Sequence, residues 1–289
     1  MKQITLSQHY KEKFGCKVYK LSIDGGMTCP NRDGTLGTGG CIYCSLSGSG
    51  DFAEKAQGDI EAQLEKAILR VKDKNKDGKY IAYFQPFTNT YADIKYLEKI
   101  YYEAIKPDYI VGLSVATRPD CLSDEVIKLL SQVNEIKPVS VELGLQTIHE
   151  KTADYINRGY KTEVYYDAVR RLKENNLEVV THMIIGLPDE TDEMIIETAK
   201  AIGDSGADGI KLHLLYVLKN TRLAIDYQSG KFETLSLEKY AELLKKCLDV
   251  LPEDIIIHRL TGDGAKKDLI APLWSADKKR VLNYINSII

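Results

Sequence analysis

Residues 22–44 read SIDGGMTCPNRDGTLGTGGCIYC and carry three of the six cysteines of the chain. The segment 18–23, which is apolar and β-branched, predicts a strand, and Cys29, Cys41 and Cys44 follow it directly. In an α/β barrel, the loops after the strands carry the active site. Glycines before Cys41 tolerate backbone angles that other residues do not, so this loop can wrap closely around a bulky inorganic group.

The three cysteines leave several kinds of site open. A structural zinc ion is usually closed by four ligands, and His182 or His213, both in predicted strands, could complete such a set. A [4Fe–4S] cluster on three cysteines would leave one iron free for a substrate or cofactor. A thioredoxin-like pair at Cys41 and Cys44 would leave Cys29 unexplained. The spacing favours the iron–sulfur cluster, with zinc and incidental thiols as alternatives.

Outward from this segment, short strand-like runs alternate with amphipathic helical patterns. Strands are predicted at 18–23, 80–84, 109–116, 139–144, 179–185 and 209–214, and helices at 60–72, 93–105, 124–134, 163–175 and 192–205. Ser123 and Thr162 stand where N-caps are expected. The strands are almost wholly apolar, as in a parallel sheet that is buried on both faces. We therefore predict an α/β fold, a partial (β/α)6 TIM-like barrel with a C-terminal α/β extension.

The alternation changes after residue 214. We expect a barrel core with an N-terminal segment at 1–218 and an extension at 219–289, packed together as one structural unit. The extension is predicted to hold a helix at 237–250, a strand at 255–258 and a last helix near 278–288.

Composition excludes several classes of protein. With 289 residues, 44% hydrophobic and 28% charged, the chain resembles an ordinary globular protein rather than a disordered, collagen-like or coiled-coil one. No apolar run is long enough to span a membrane, and the N-terminus lacks the apolar core of a signal peptide. We therefore expect no membrane association and a cytoplasmic location, where thiols stay reduced. The net charge of −3 means that a nucleic acid would need a local basic patch.

Further motifs follow at the predicted strand ends: YFQPFTNTYA (83–92), ATRPD (116–120), VELGLQT (141–147), NRGY (157–160) and MIIGLPDET (183–191). With the cysteine spacing and Tyr43 before the last cysteine, they resemble the radical S-adenosylmethionine (radical SAM) superfamily. The resemblance is greatest to its Elp3-like branch and the short YhcC/YtqA group, and it covers roughly residues 14–215. The superfamily usually spaces its cysteines by three and then two residues, whereas the long first gap here is the Elp3-like pattern.

The resemblance implies two cofactors, a [4Fe–4S] cluster on Cys29, Cys41 and Cys44, and S-adenosylmethionine (SAM). The residues that we predict at the SAM site are Gln85, Thr88, Thr90, Arg118, Glu142, Gln146, Arg158, His182 and Gly186. Gln85, Thr88 and Thr90 would contact the amino group of SAM. Glu142 and Gln146, in the fourth strand, would bind the ribose hydroxyls. Gly186 would shape the turn that faces the adenine.

Alternatives stay open for several of these residues. Arg118 could instead pair with Asp120, and Arg158 could bind a substrate phosphate or cap a surface turn. The turn at Gly186 could be an ordinary strand-to-helix turn. Cys121 is a candidate catalytic thiol, with packing as its alternative.

The short group is associated with the wobble uridine of tRNA. The implied reaction converts 5-carboxymethylaminomethyl-(2-thio)uridine to the 5-aminomethyl form, with the tRNA anticodon loop as partner and flavodoxin or ferredoxin as electron donor. Basic residues that could meet RNA are Lys17, Lys20 and Arg32, and also Lys266, Lys267, Lys278, Lys279 and Arg280 beside Trp274 and Tyr284. A mixed solvated surface is the alternative. Other hypotheses are a radical SAM enzyme for a small molecule or a protein, and a non-catalytic RNA-binding protein stabilised by zinc or iron–sulfur.

Overall fold

The computed structural model describes residues 1–46, 48, 59–75, 78–262 and 264–289. Its α-helices are α1 Leu6–Phe14, α2 Ile60–Val71, α3 Ile94–Ile105, α4 Asp124–Asn134, α5 Glu150–Tyr155, α6 Thr162–Glu174, α7 Asp192–Asp204, α8 Arg222–Gln228, α9 Leu237–Val250 and α10 Lys278–Asn286. Its strands are β1 Val18–Ile23, β2 Lys79–Phe84, β3 Ile110–Thr117, β4 Val139–Gln146, β5 Glu178–Ile185, β6 Gly209–Leu214, β7 Val217–Leu218, β8 Ile256–Arg259 and β9 Leu269–Ala271.

The main sheet is parallel and curls into a half-barrel in the order β1-β2-β3-β4-β5-β6-β8. The predicted partial barrel is therefore confirmed, but the number of strands was wrong. The strand expected in the C-terminal extension, β8, pairs with β6 and adds a seventh strand. The register shifts between Ile210 and Lys211, so that Lys211 lies opposite Arg259. A bulge of this kind can redirect a side chain.

The core lies between the sheet and the helices outside it. The strands are apolar because they are covered on both faces, and β2 and β3 are buried along nearly their whole length. In α3, the buried residues Leu97, Ile100, Tyr101 and Ala104 recur at helical spacing and form its core face. The sequence periodicity thus fixes which side of each helix meets the sheet.

The two predicted N-caps have different outcomes. The hydroxyl of Ser123 accepts the amide proton of Val126, as an N-cap does. Thr162 is instead the first residue inside α6, and Lys161 takes the cap position without a side-chain bond. The prediction was wrong there because the Thr162 hydroxyl serves another purpose: it donates to the carbonyl of Ile148 and accepts from Arg158.

The N-terminal residues are held by the C-terminal part of the chain. The side-chain amide of Gln3 donates to the carbonyls of Leu248 and Leu251. The amide of Ile257, in β8, donates to the carbonyl of Ile4 at 2.9 Å, just before α1 begins. Residues 3–4 therefore meet residues 248–257 at the β8 edge of the sheet. β8, which belongs to the predicted extension, is part of the barrel sheet. The division of the chain at 218/219 stays a prediction.

Small elements complete the fold. The sequence did not predict α1, α5, α8 or the antiparallel pair of β7 and β9. Among the described residues, no helix combines the length and apolar character that crossing a membrane requires.

Candidate active site

A cavity of about 440 Å³ lies inside the half-barrel, beneath the loops that follow the strands. Ten of the thirteen predicted site residues line it: Cys29, Cys41, Cys44, Gln85, Thr88, Arg118, Glu142, Gln146, Arg158 and His182. Thr90, Cys121 and Gly186 lie outside its lining. The structure therefore brings motifs from separate strands to one place.

The first wall of the cavity is the cysteine loop, residues 29–44. Backbone bonds hold it, with Cys29 accepting from the amides of Arg32 and Asp33, and Cys41 accepting from Cys44. The guanidinium of Arg32 donates to the carbonyls of Cys44 and Ser45 and lies over the ring of Phe87, 5.5 Å from its centre. Arg32 thus serves the loop, which corrects its assignment to an RNA-binding surface.

Glycine is required within the cysteine loop at one close approach. Gly40 has φ +70°, and a Cβ added to it would lie 2.8 Å from Nε of Arg32. The guanidinium can cross the loop only because this position has no side chain.

The three loop thiols are half-buried. Burial, together with the nearby Cys44, raises the pKa of Cys41 to about 11, although Arg118 opposes the shift. Deprotonated sulfurs here need a positive partner, and a metal centre supplies one. Within the described ranges, no set of three His, Cys, Asp or Glu side chains surrounds a single-ion position. His182, the alternative zinc ligand, is bonded to Glu142 instead.

Two arginines enclose a tyrosine beside the cysteine loop. The guanidinium groups of Arg118 and Arg158 lie 4.9 and 4.6 Å from the centre of the Tyr160 ring. Arg118 makes a bidentate pair with Asp120, as the alternative interpretation had it, and also donates to the carbonyl of Arg158. The Tyr160 hydroxyl is buried without a partner among the described residues, and burial raises its pKa far above the ordinary value.

Arg158 is only 1% exposed, which excludes a surface cap. Its guanidinium donates to the carbonyls of Leu145, Thr147 and Tyr160 and to the Thr162 hydroxyl. These bonds fasten the NRGY segment to the end of β4. A contact with SAM or phosphate stays a prediction, and it would have to replace one of these bonds.

Glu142 stands at the centre of the second wall, which we call the charged floor. Lys20 and Ser114 donate to Oε1 at 2.6 and 3.0 Å, and Tyr83 and His182 contact Oε2 at 2.7 and 2.8 Å. Lys211 forms an ion pair with Oε2. The charged floor consists of Lys20, Tyr83, Ser114, Glu142, His182 and Lys211. Each of its partners comes from a different strand, so the floor crosslinks the barrel.

The electrostatics of the charged floor follow from burial. Burial alone would raise the pKa of Glu142, but Lys20, Lys211 and His182 hold it well below its ordinary value. Burial lowers the pKa of Lys211 to about 7 against the attraction of Glu142. Burial and Lys211 also lower the pKa of His182 to about 4, so a neutral imidazole faces the carboxylate. Protein groups already bond to both carboxylate oxygens of Glu142. Its contact with the ribose of SAM stays a prediction.

Lys20 had been predicted at an RNA-binding surface, which is wrong because the side chain is buried in the charged floor. Trp274 and Tyr284 are not free stacking partners either. The Trp274 indole donates to the carbonyl of Leu235, and Tyr284 packs on the core. The five basic residues of the C-terminal region are exposed: Lys266, Lys267, Lys278, Lys279 and Arg280.

Gln85, Thr88 and Gln146 line the upper cavity. Gln85 accepts from the hydroxyl of Ser22 at 3.0 Å. Gln146 has φ +65° at a register shift between β4 and β5, and its amide folds back towards the carbonyls of Gly144 and Leu145. Its SAM contact stays a prediction, as do those of the other two.

The three remaining predicted residues, Thr90, Cys121 and Gly186, lie outside the lining of the cavity. The hydroxyl of Thr90 bonds to Thr117 and to the carbonyl of Cys121, both at 2.6 Å. Thr90 and Cys121 line a separate open groove. Burial raises the pKa of the Cys121 thiol to about 12, and its catalytic role stays a prediction. Gly186 has φ +93° beside Leu235, which fits an ordinary tight turn.

Sequence reasoning missed Lys211, Tyr83, Arg259 and Tyr160 as cavity residues. One signal was available, because Lys211 interrupts the apolar strand GIKLHL. A charged residue in a buried strand needs an opposite charge nearby, and Glu142 in the apolar β4 was that partner.

The chain is similar to known proteins in both sequence and fold. The sequence model of the Radical SAM superfamily matches residues 33–202, and that of the Radical_SAM C-terminal domain matches 207–289. The chain is 47% identical to protein YtqA of Bacillus subtilis over 98% of its own length and 88% of that protein. It is 27% identical to a tRNA uridine(34) acetyltransferase of Methanocaldococcus jannaschii over 53% of its length and 28% of that protein.

Among solved structures, an archaeal Elp3 from Methanocaldococcus infernus superposes with a TM-score of 0.67 at 20% identity. The superposition covers 93% of this chain and 63% of that one. This likeness shows that the two share the fold.

Proposed function

The chain belongs to the radical SAM superfamily, in its Elp3-like branch, and from that premise we propose that it remodels the side chain of the wobble uridine in tRNA. Membership makes it an enzyme whose cofactors are a [4Fe–4S] cluster and SAM. The observation that carries the proposal is a cavity whose lining includes both the three cysteines and the buried carboxylate of Glu142.

Cys29, Cys41 and Cys44 would hold the cluster. The donor set fits, because all three thiols line one cavity and burial disfavours the Cys41 thiolate unless a cation lies beside it. When bound there, the cluster would supply one-electron chemistry that lets SAM act as the source of a hydrogen-abstracting radical.

The protein supplies binding, orientation and exclusion of water. We propose that Gln85, Thr88 and Gln146 contact SAM in the upper cavity, where all three line the wall. Arg118 and Arg158, fixed around Tyr160, would hold that end of the cavity rigid. The charged floor would close the other end against bulk water, because its polar atoms are already paired with one another.

The proposed reaction converts 5-carboxymethylaminomethyl-(2-thio)uridine to the 5-aminomethyl form. Similarity to a tRNA uridine(34) acetyltransferase supports tRNA as the substrate class. The exposed basic residues of the C-terminal region, including Lys266 and Lys278, supply positive charge for the anticodon loop. Flavodoxin or ferredoxin is the proposed electron donor, in the cytoplasm.

The test of this function has two parts. Anaerobic reconstitution with iron and sulfide should give a chain that releases 5′-deoxyadenosine from SAM on reduction. Added tRNA from a strain that lacks the gene should then lose its 5-carboxymethylaminomethyl nucleoside and gain the 5-aminomethyl one. Release of 5′-deoxyadenosine with unchanged tRNA would point to a small-molecule or protein substrate.

A further inference from the structure

We propose that Arg259, Lys211 and His213, on the wall formed by β6 and β8, bind a carboxylate of the substrate. The inference rests on the proposed function for the identity of that substrate, but the site itself is argued from charge and geometry. All three residues line the same cavity as the cysteine loop.

The charge inside the barrel does not balance. Lys20 and Lys211 share one carboxylate, that of Glu142, and Arg259, which lines the cavity together with Lys211, is a third cation in this region. Within the described part of the chain, no carboxylate lies at ion-pair distance from Arg259. Arg259 therefore adds a positive charge to the cavity that no described carboxylate pairs with, which favours an anionic ligand.

The bulge in β8 places the third cation. The shift of register between β6 and β8 brings Arg259 opposite Lys211, and Arg259 belongs to the cavity lining although its side chain is accessible. Arg259 also adds to the lowering of the pKa of Lys211, which is the effect of a nearby like charge. A guanidinium with free donors can receive a carboxylate in bidentate geometry.

A buried nitrogen without a partner marks the same wall. Nε2 of His213 is shielded from solvent and bonds to no described residue. Its ring lies 5.1 Å from that of His182, centre to centre. Burial lowers the pKa of His213 well below the ordinary value, so the ring is neutral and has one N–H to donate. A buried polar atom of this kind is costly unless a ligand or water pairs with it.

A carboxylate suits this site because the proposed substrate side chain ends in one, whereas the proposed product does not. The wall would therefore bind the carboxylate of the substrate, and this interaction would be absent from the product, which lacks the carboxymethyl group. Binding and release would follow from the same contacts.

The first experiment tests the site without assuming a substrate. Acetate is titrated into the anaerobically reconstituted protein at constant ionic strength, with the imidazole resonances followed by NMR and acetamide as the neutral isostere. We expect acetate to shift the His213 resonance and acetamide to leave it in place. Arg259→Met should weaken acetate binding about tenfold, as for the loss of one charge-assisted contact.

The matched control is Arg170→Met, the same substitution at an exposed arginine of α6 that pairs with Asp167 and Glu174. It should leave the acetate titration unchanged. Equal shifts from acetate and acetamide, or full acetate binding in Arg259→Met, would overturn the proposal. Tighter binding of inorganic phosphate than of acetate would assign the wall to a phosphate and also overturn it.

The second experiment separates the site from the proposed function. Affinities of 5-carboxymethylaminomethyluridine and of its methyl ester are compared in the SAM-loaded protein. Preference for the acid, abolished by Arg259→Met, supports the carboxylate site. An acetate effect without any preference between acid and ester would keep the anion site but refute this nucleoside as its ligand.

Discussion

The cysteine loop and the charged floor both contribute residues to one cavity, and they are built in opposite ways. In the charged floor, both oxygens of Glu142 are bonded to side chains from other strands, and Lys211 is 7% exposed. In the cysteine loop, backbone carbonyls and amides bond to one another, whereas the three thiols are half-buried. Burial raises the pKa of one of them, Cys41.

The contacts of the charged floor form when the chain folds, whereas those of the cysteine thiols would form only when a cofactor binds. Side chains of the floor already bond to both oxygens of Glu142, so breaking these contacts should change the stability of the barrel. In the loop, Arg118 offsets only part of the effect of burial on Cys41, and the cofactor would supply the remaining positive charge. Substitutions in the two regions should therefore be visible in different measurements, one in cofactor content and the other in unfolding.

The largest effect is expected in the cysteine loop. Cys41→Ser replaces a soft thiolate ligand with a hydroxyl, so iron and sulfide content after reconstitution should collapse and 5′-deoxyadenosine release should disappear. Cys16→Ser is the matched control, because Cys16 lies outside the cavity and should keep both. Full cluster content in Cys41→Ser would remove the basis for the contrast.

The next largest effect is expected in the charged floor. Glu142→Gln leaves Lys20 and Lys211 without their carboxylate and should lower the free energy of unfolding by about 3–5 kcal/mol, as for broken buried ion pairs. Chemical denaturation of the cluster-free chain measures it. The control Glu242→Gln, on the exposed face of α9, should leave the unfolding curve in place. Coincident curves for both variants would show that the floor adds no stability.

A pH series sharpens the comparison further. The pKa of Lys211 is about 7 in the folded chain and 10.5 as an ordinary lysine, so the unfolded chain binds more protons between these values. Stability should therefore rise with pH above 7, by at most about 1.4 kcal/mol per pH unit. Below pH 7 the lysine is charged in both states and its burial penalty is complete. In Lys211→Met this rise, measured by denaturation at pH 7, 8 and 9, should be absent, and parallel curves would contradict the assignment.

The smallest effect concerns Tyr160, next to the cysteine loop. Tyr160→Leu removes the ring between Arg118 and Arg158 and should cost about 1 kcal/mol through the lost cation–π contacts. Tyr160→Phe keeps the ring and removes a hydroxyl that has no described partner, so its unfolding curve should match the wild type. Equal losses in both variants would indicate that the hydroxyl, not the ring, matters.

These two regions also mark how far the sequence could lead. The strands β1 and β6 have the predicted bounds, because runs of apolar, β-branched residues report burial directly. The cysteine loop was found because its ligands are close in sequence. The charged floor was not, since its pairs with Glu142 are separated by 28 to 122 positions. The sequence pattern showed no reason for a strand from 255–258 to enter the sheet rather than cover it.

The bond between Ile4 and β8 affects the order in which parts of the protein can fold during synthesis. Cys29, Cys41 and Cys44 leave the ribosome more than 200 residues before Ile257, which bonds to Ile4, and Arg259, which lines the cavity. The N-terminal residues must wait for that late strand before they can settle against it. We therefore expect the cavity to close only after translation of β8, which leaves the three thiols accessible to the cell's cluster-assembly machinery while the rest of the protein is made.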